Sequence, residues 1–335
     1  MSNPLVSVYM ITYNHERFIA QAIEGVVMQK TEFPYELVIG EDCSTDNTRA
    51  IVESFARKYP DVIRFLPSEK NLGMYSNGNR TLKACRGKYI AVCEGDDYWV
   101  RPDKLAKQVD CLEKNPDIAV CFHNVLVQYE GGEFQPYPYY TGNTTANLIG
   151  IHDVKPPECS NVNRLLRGNF IQTPSVMMRH IFLNGMPGWL AGLALGDWPV
   201  FVLAARNGQI WYIDEIFAVY RVHSGGVWSC VAIEKRSDAV IQAAYAIREN
   251  ITLSWGQKFI LNSYICNMHI YSAQRLLQAG NRSGAMSRLV DMFSAKGNKR
   301  PAFILAVAYS VSRRLLPQRL FDSLFAVRRK LLCRK

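Results

Sequence analysis

The chain has 335 residues, 48% of them hydrophobic and 20% charged, the balance of a folded globular protein with room for one large domain or two smaller ones. Its net charge of +10 is unevenly spread: ten of the 39 Lys and Arg but only one of the 29 acidic residues lie between Lys299 and Lys335, leaving 29 basic and 28 acidic residues elsewhere. A near-neutral body with a basic tail does not fit a uniformly basic nucleic-acid binder, so no nucleic acid is expected as a partner.

The nine cysteines are odd in number, scattered, and contain no C-x-x-C pair, which argues for reduced thiols and against a disulfide frame or a zinc site. Met1-Ser2-Asn3-Pro4 runs straight into strand-like sequence, so no signal peptide is expected. The longest apolar candidate for a membrane span, His180 to Gly196, is broken by Asn184-Gly185-Met186-Pro187-Gly188.

Strand and helix signals alternate through the first half, which predicts a mostly parallel sheet flanked by helices. Leu5 to Ile11 reads as the first strand, and Glu16 to Gln29 as a helix with Phe18, Ile19, Ala22, Ile23, Val26 and Val27 on one face. Glu36 to Gly40 is the second strand. A turn follows, with Asp46 or Ser44 as the expected N-cap of a helix from Thr48 to Tyr59 that Pro60 stops. Val62 to Leu66 is a third strand, Asn79 to Cys85 a short helix, and Gly87 to Cys93 a buried strand. Pro102 fits the first position of the next helix, which Asn115-Pro116 closes, and Ile118 to Phe122 is another strand. Residues 128–169, rich in Gly, Pro, Tyr and Asn, are expected to be a long irregular segment over the sheet edge. Signals return from Phe170 to Val222, with a strand at Ile216 to Val219, and the pattern beyond Ala232 is helical.

Three polar constellations follow strands directly: Thr12-Tyr13-Asn14, then Glu41-Asp42 with Ser44-Thr45-Asp46, then Glu94-Gly95-Asp96-Asp97-Tyr98-Trp99. In an open α/β sheet the carboxyl ends of strands form one ligand-binding edge. Each constellation alone is also ordinary turn chemistry, and the third alone also reads as a helix cap. The close carboxylates Glu94, Asp96 and Asp97 offer oxygen ligands, the donor type that suits Mn²⁺ or Mg²⁺. No G-x-G-x-x-G follows the first strand and no P-loop occurs, so a phosphate bound here would need a cation rather than a glycine nest.

In order and spacing, Val6-Ser7-Val8, Thr12-Tyr13-Asn14, Glu41 to Asp46 and Glu94 to Trp99 resemble the inverting family 2 glycosyltransferases of GT-A fold. The resemblance covers residues 4–125 closely and runs on more loosely to about 230. It implies that Thr12, Tyr13 and Asn14 line a nucleoside pocket, that Asp42 contacts the base, and that Asp96 and Asp97 form the metal-binding motif. By that motif Asp97 is the direct ligand and Asp96 lies nearer ribose and sugar. Glu41 and Cys43 stand where Asp and Gly are usual, and Glu94 where some members carry Asp; Glu41 and Glu94 are kept as further candidates. Leu195-Gly196-Asp197-Trp198-Pro199 is similar to the family's later acidic motif, which makes Asp197 the expected catalytic base; its bland alternative is a helix cap. Tyr220-Arg221-Val222-His223 resembles a segment that closes over the diphosphate, so Arg221 and His223 are candidates for a phosphate or metal contact. The five other histidines are assigned nothing. Trp189, Trp198 and Trp211 are candidates to stack on an acceptor sugar, against the commoner core reading.

The implied organisation is a glycosyltransferase domain over 1–230, divided at 125 into donor and acceptor halves, and a helical basic region over 231–335. Phe303 to Val311 and Leu320 to Phe325 repeat at helical spacing and lead into Arg313-Arg314 and Arg328-Arg329-Lys330, a pattern suited to an anionic membrane surface. The expectation is a cytoplasmic enzyme peripheral on the inner face of the membrane. It would move one sugar from a nucleotide-diphospho-sugar, UDP-sugar favoured, to a lipid-linked saccharide in surface-polysaccharide assembly. The rivals are a sugar nucleotidyltransferase, which would want an early glycine-rich loop, and a non-catalytic membrane adaptor.

Overall fold

The computed structural model describes residues 3–136, 156–226 and 233–294. β1 (Val6–Thr12), β2 (Tyr35–Glu41), β3 (Ile63–Leu66) and β4 (Tyr89–Val92) run parallel in the order β3-β2-β1-β4. They are joined through α1 (Ile19–Val27), α2 (Thr48–Lys58) and α3 (Met74–Ala84). β5 (Tyr98–Trp99), α4 (Lys104–Lys114), β6 (Ile118–Tyr129), β7 (Phe134–Pro136), β8 (Cys159–Ser160), α5 (Val162–Leu165), β9 (Met177–Arg179), α6 (Asp197–Ala205) and β10 (Gln209–Val222) complete the sheet and its cover. β9 enters antiparallel between β4 and β6, and β10 lies parallel to β6, with β5 antiparallel on its outer side. β4, β6 and β10 therefore all point the same way, and their carboxyl ends share one edge with those of β1 and β2.

Period-two alternation divides the strands between two cores. Val6, Val8 and Met10 of β1 and Tyr89 and Ala91 of β4 bury on the face covered by α1, α2 and α4, with Ile23, Val26, Val52 and Leu105. Ile90 and Val92 of β4, Val120 and Phe122 of β6 bury on the opposite face, with Trp198, Phe201 and Val202 of α6. α1 lies so close to β5 that a Cβ on Gly25 would stand 2.7 Å from the Trp99 carbonyl oxygen, which requires glycine there.

The C-terminal helices belong to the second of these cores. α7 (Ile233–Asn250) contributes Ile241, Ala244 and Ile247, and α8 (Trp255–Gln278) contributes Leu261, Tyr264 and Ile265. Tyr264 meets Trp198 edge-on with ring centroids 5.4 Å apart. A full capping box of Ser254 and Gln257 starts α8, and α9 (Arg282–Ser294) packs back on it. No helix among the described residues is long and apolar enough to cross a membrane.

Several boundaries differ from the sequence expectation, each for a local reason. α3 starts at Met74 rather than Asn79, because Gly73 at φ 80° turns the chain into it and the Asp42 carboxylate accepts the Leu72 and Gly73 N–H groups. Pro102 lies ahead of α4 and not at its first position; Asp103 precedes the first helical residue, with its carboxylate taken by Arg101. β6 and β10 run to 12 and 14 residues because each supports the other across its length. The segment expected to be irregular from 128 begins with a hairpin, since β7 pairs with the end of β6 around Gly131 and Gly132, both at positive φ. Asn47, with no side-chain cap bond, precedes α2, while Asp46 Oδ1 accepts the Thr48 N–H at 2.9 Å.

Candidate active site

The site sits where β1, β2, β4 and β10 end together. Parallel register sets Thr12 beside Glu41, and the chain leaving β4 continues along β1, with Gly95 N–H donating to the Ile11 carbonyl at 3.1 Å. The backbone then folds across the edge into β5, where Tyr98 pairs with Val219 of β10. That crossing brings Glu94, Asp96 and Asp97 together, each with a carboxylate oxygen within 4.8 Å of the others. Gly95 makes it fit: a Cβ there would stand 2.7 Å from Thr12 Oγ1 and 2.8 Å from His15 Nδ1.

β10 fastens this loop. The Arg221 backbone N–H donates to Asp97 Oδ1 at 2.8 Å, and Arg221 Nη1 donates to the Asp96 carbonyl at 2.8 Å. The guanidinium lies 4.2 Å from the Tyr98 ring centroid and 5.1 Å from that of Phe18, and its Nη2 donates to Gln21 of α1. His223 Nε2 approaches Asp96 Oδ2 at 3.3 Å, and His15 Nε2 the same oxygen at 3.9 Å.

The electrostatics are those of a crowded anionic site. Burial, then the charge on Asp96, drives the Asp97 carboxyl well above its usual range, against the Arg221 hydrogen bond. Burial, then the charges on Asp96 and Asp197, pushes Glu94 up to about 8. Burial also works to raise Asp96, but the His223 hydrogen bond and the charges of His15 and His223 outweigh it and hold this carboxyl below its usual range. Asp97 Oδ2, Thr12 Oγ1 and His15 Nδ1 are buried with no hydrogen-bond partner. A buried carboxylate oxygen facing two further carboxylates is unfavourable alone and is satisfied by a cation, so the donor set fits an oxygen-loving divalent ion.

Asp197 begins α6, which packs on the face of the sheet that carries Ile90 and Val92. Asn169 Nδ2 donates to its Oδ2 at 2.9 Å, and burial raises its pKa against backbone hydrogen bonds from Asp197 and Trp198. Its charge acts on Glu94, so the tertiary fold has joined two motifs about a hundred residues apart.

The remaining expected residues are placed differently. Thr12 is buried at the floor, 2% exposed, while Tyr13 projects from the rim at 41%. Asn14, at φ 56°, ties the first two constellations: its Oδ1 accepts the Thr45 N–H at 2.8 Å and its own N–H donates to Ser44 Oγ at 3.0 Å. Asp42 and Glu41 are buried and engaged in loop structure. Asp42 holds Leu72 and Gly73, while Glu41 accepts from Ser44 N–H and from Arg49 Nε. Trp198 is a core residue, 1% exposed, with its Nε1 donating to the Leu165 carbonyl, which removes it as a sugar platform.

Sequence reasoning passed over three residues: His15, Gln21 and Asn169. His15 has no expected role from the sequence, yet it shares the Asp96 carboxylate with His223. Its signal was position, one residue past Thr12-Tyr13-Asn14 in the same strand-end loop. Gln21 and Asn169 carry no signal, because each is recruited only by a partner distant in sequence.

A mixed α/β sheet with an acidic cluster at the carboxyl edge, flanked by helices, is the GT-A architecture. The family model described as glycosyl transferase family 2 matches residues 7–179, and this chain belongs to that family. It is 39% identical over 241 residues to the uncharacterized protein Rv1520 of Mycobacterium tuberculosis, an alignment covering 69% of this chain and 62% of that one. It is 28% identical over 220 residues to the dTDP-rhamnosyl transferase RfbG of Shigella flexneri, covering 64% of this chain and 71% of RfbG. The chain thus spans less than two thirds of the mycobacterial relative's length. In fold it is similar to the S. aureus TarS 1-349 structure, with a TM-score of 0.61 at 19% identity over 98% of this chain and 88% of that one. It is also similar to the mannosyltransferase PcManGT of Pyrobaculum calidifontis in complex with GDP-Man and Mn²⁺, with a TM-score of 0.58 at 17% identity over 97% and 84%.

Proposed function

We propose that this protein is a metal-dependent, inverting glycosyltransferase that moves one sugar from a nucleotide-diphospho-sugar to a saccharide acceptor. The observation that carries this reading is the Glu94, Asp96 and Asp97 cluster with Asp97 Oδ2 buried and unpartnered, and with Asp197 near enough for its charge to act on Glu94. Asp97 and Asp96 would hold Mn²⁺ or Mg²⁺, with Glu94 beside them. The bound ion would act as a Lewis acid toward the departing diphosphate.

Thr12 and Tyr13 line the nucleoside side of the pocket in this reading, with Asn14 and Asp42 keeping its two loops in place. Arg221, already engaged with Asp96 and Gln21, holds the acidic loop rather than offering a free cation to phosphate. Asp197 takes the proton of the acceptor hydroxyl as that oxygen attacks the anomeric carbon; a single displacement inverts it. Asn169 orients the carboxylate, and its raised pKa makes it a stronger base. The hydroxyl must come within ~3 Å of that carboxylate.

A role in surface-polysaccharide assembly is in keeping with the putative teichuronic acid biosynthesis glycosyltransferase TuaG of Bacillus subtilis, 36% identical over 109 residues, and a lipid-linked acceptor is part of the proposal. Attachment to the inner face of the membrane through the basic tail belongs to the same proposal.

Thermal stability against UDP, GDP, CDP and dTDP, each with Mn²⁺ and with a chelator, tests the donor side. A ligand at 100 times its dissociation constant adds ~2.7 kcal/mol. Stabilisation by one nucleotide, lost in chelator, is the expected result; none from any of the four would return the acidic cluster to an ordinary turn and favour the adaptor reading.

A further inference from the structure

A second concavity, sharing no lining residue with the acidic cluster, opens between the segment 188–193 and α7. Its volume is about 470 Å³, within the roughly 300–1,000 Å³ of small-ligand clefts. Trp189 and Leu193 line one side; Asp238, Gln242 and Glu249 of α7 line the other. Arg288 of α9 reaches in and pairs with Asp238 at 2.5 Å.

We propose that this groove holds the non-reacting rings of a neutral oligosaccharide acceptor. The proposal rests on the transferase reading above, with Asp197 as the base.

Three observations carry it. The first is chemistry: a half-buried indole offers an apolar face to the C–H side of a sugar ring, while carboxylate and amide side chains opposite it match ring hydroxyls as donors and acceptors. The second is charge. The groove holds two carboxylates and one guanidinium, and Asp238 already neutralises that guanidinium. Glu249 is likewise paired, with Arg248 at 3.8 Å, so each carboxylate already has its guanidinium and the groove offers no unpaired cation to a phosphate, sulfate or anionic headgroup, whereas an uncharged saccharide needs none. The third is place. Leu193 precedes Asp197 by four residues, a span of at most about 14 Å, and α7 packs on α6, which Asp197 begins. An acceptor whose terminal hydroxyl lies at Asp197 therefore has its next rings within reach of Leu193, at the edge of the groove that Trp189 also lines.

The test uses the full chain and a defined panel: tetrasaccharides of rhamnose, galactose, mannose and N-acetylglucosamine, with the matching methyl monosaccharides, titrated by calorimetry. At least one tetrasaccharide should bind more tightly than its monosaccharide. Trp189→Ala should weaken it roughly tenfold, the size of a lost aromatic contact. Trp189 also packs against the core, so Gln242→Ala, at an exposed position, provides the second variant and should weaken binding in the same direction. Nucleotide stabilisation with Mn²⁺ should be unchanged in both. Tetrasaccharide affinity indifferent to both variants, or no tetrasaccharide bound at all, overturns the groove. The nucleotide measurement separates the two ideas. Stabilisation by nucleotide without Trp189-dependent saccharide binding keeps the transferase and removes the groove. Trp189-dependent binding in a protein that ignores every nucleotide keeps the groove and removes the transferase.

Discussion

Two carboxylates divide the work that the cleft can do, and their surroundings distinguish them. Asp97 is 1% exposed, with one oxygen fixed by the Arg221 N–H and the other without a partner, which is the ground for proposing it as a cation ligand. Asp97→Asn should preserve the fold, because the amide oxygen still accepts from Arg221, while Mn²⁺-dependent nucleotide stabilisation disappears. A wild-type thermal shift in that variant would remove Asp97 as a metal ligand. Asp197 is held by Asn169 with its pKa raised by burial, suited to receive a proton. Asp197→Asn should leave donor affinity intact and lower transfer roughly 10²–10⁴-fold, the usual worth of general-base catalysis. Near-normal transfer would place the base elsewhere.

At the scale of elements, the site depends on strand ends being kept in register, and a buried clamp at the opposite ends of β1 and β2 does that. Glu36 of β2 accepts from Ser7 Oγ of β1 at 2.6 Å, from Arg64 of β3 at 3.0 Å and from Arg86 just ahead of β4 at 2.8 Å. Burial alone would raise this carboxyl, but the Arg86, Ser7 and Arg64 hydrogen bonds together bring it below its usual value. A depressed folded-state pKa adds stability that is present above the unfolded value and lost as pH falls through the folded one. Glu36→Gln should therefore cost about 2–3 kcal/mol near neutrality, and that difference should shrink as pH drops below about 4. Urea titrations of both proteins at several pH values check it; a constant difference down to acid pH would assign the loss to packing instead of charge.

For the molecule as a whole, the described helices α7 and α8 are integral to the core, whereas the basic stretch beginning at Lys299 lies outside the described residues. Sequence alone assigns that stretch its charge and its apolar spacing. Truncation after Asn298 should weaken binding to vesicles containing anionic lipid, progressively less so as salt rises, and leave nucleotide stabilisation unchanged. Equal vesicle affinity with and without the tail would make it a structural cap.

The alternation of β1 to β4 with their helices is legible in the chain, because period-two and helical spacing are local properties. So are the constellations at Thr12, Asp42 and Glu94, since a polar run after a buried strand marks a sheet edge wherever the strands are neighbours. Tertiary structure alone decided what those residues face. Arg221 reaches Asp96, His15 and His223 share one carboxylate, and Asp197 acts on Glu94 only because β10 pairs with β5 and α6 packs against β4 and β6. Asp42 and Glu41, which the motif placed with the ligand-binding set, spend their oxygens on loop backbone and Arg49. The difference is physical: secondary structure follows from interactions a few residues apart, whereas the field at a buried carboxylate is set by every charge the fold brings near it.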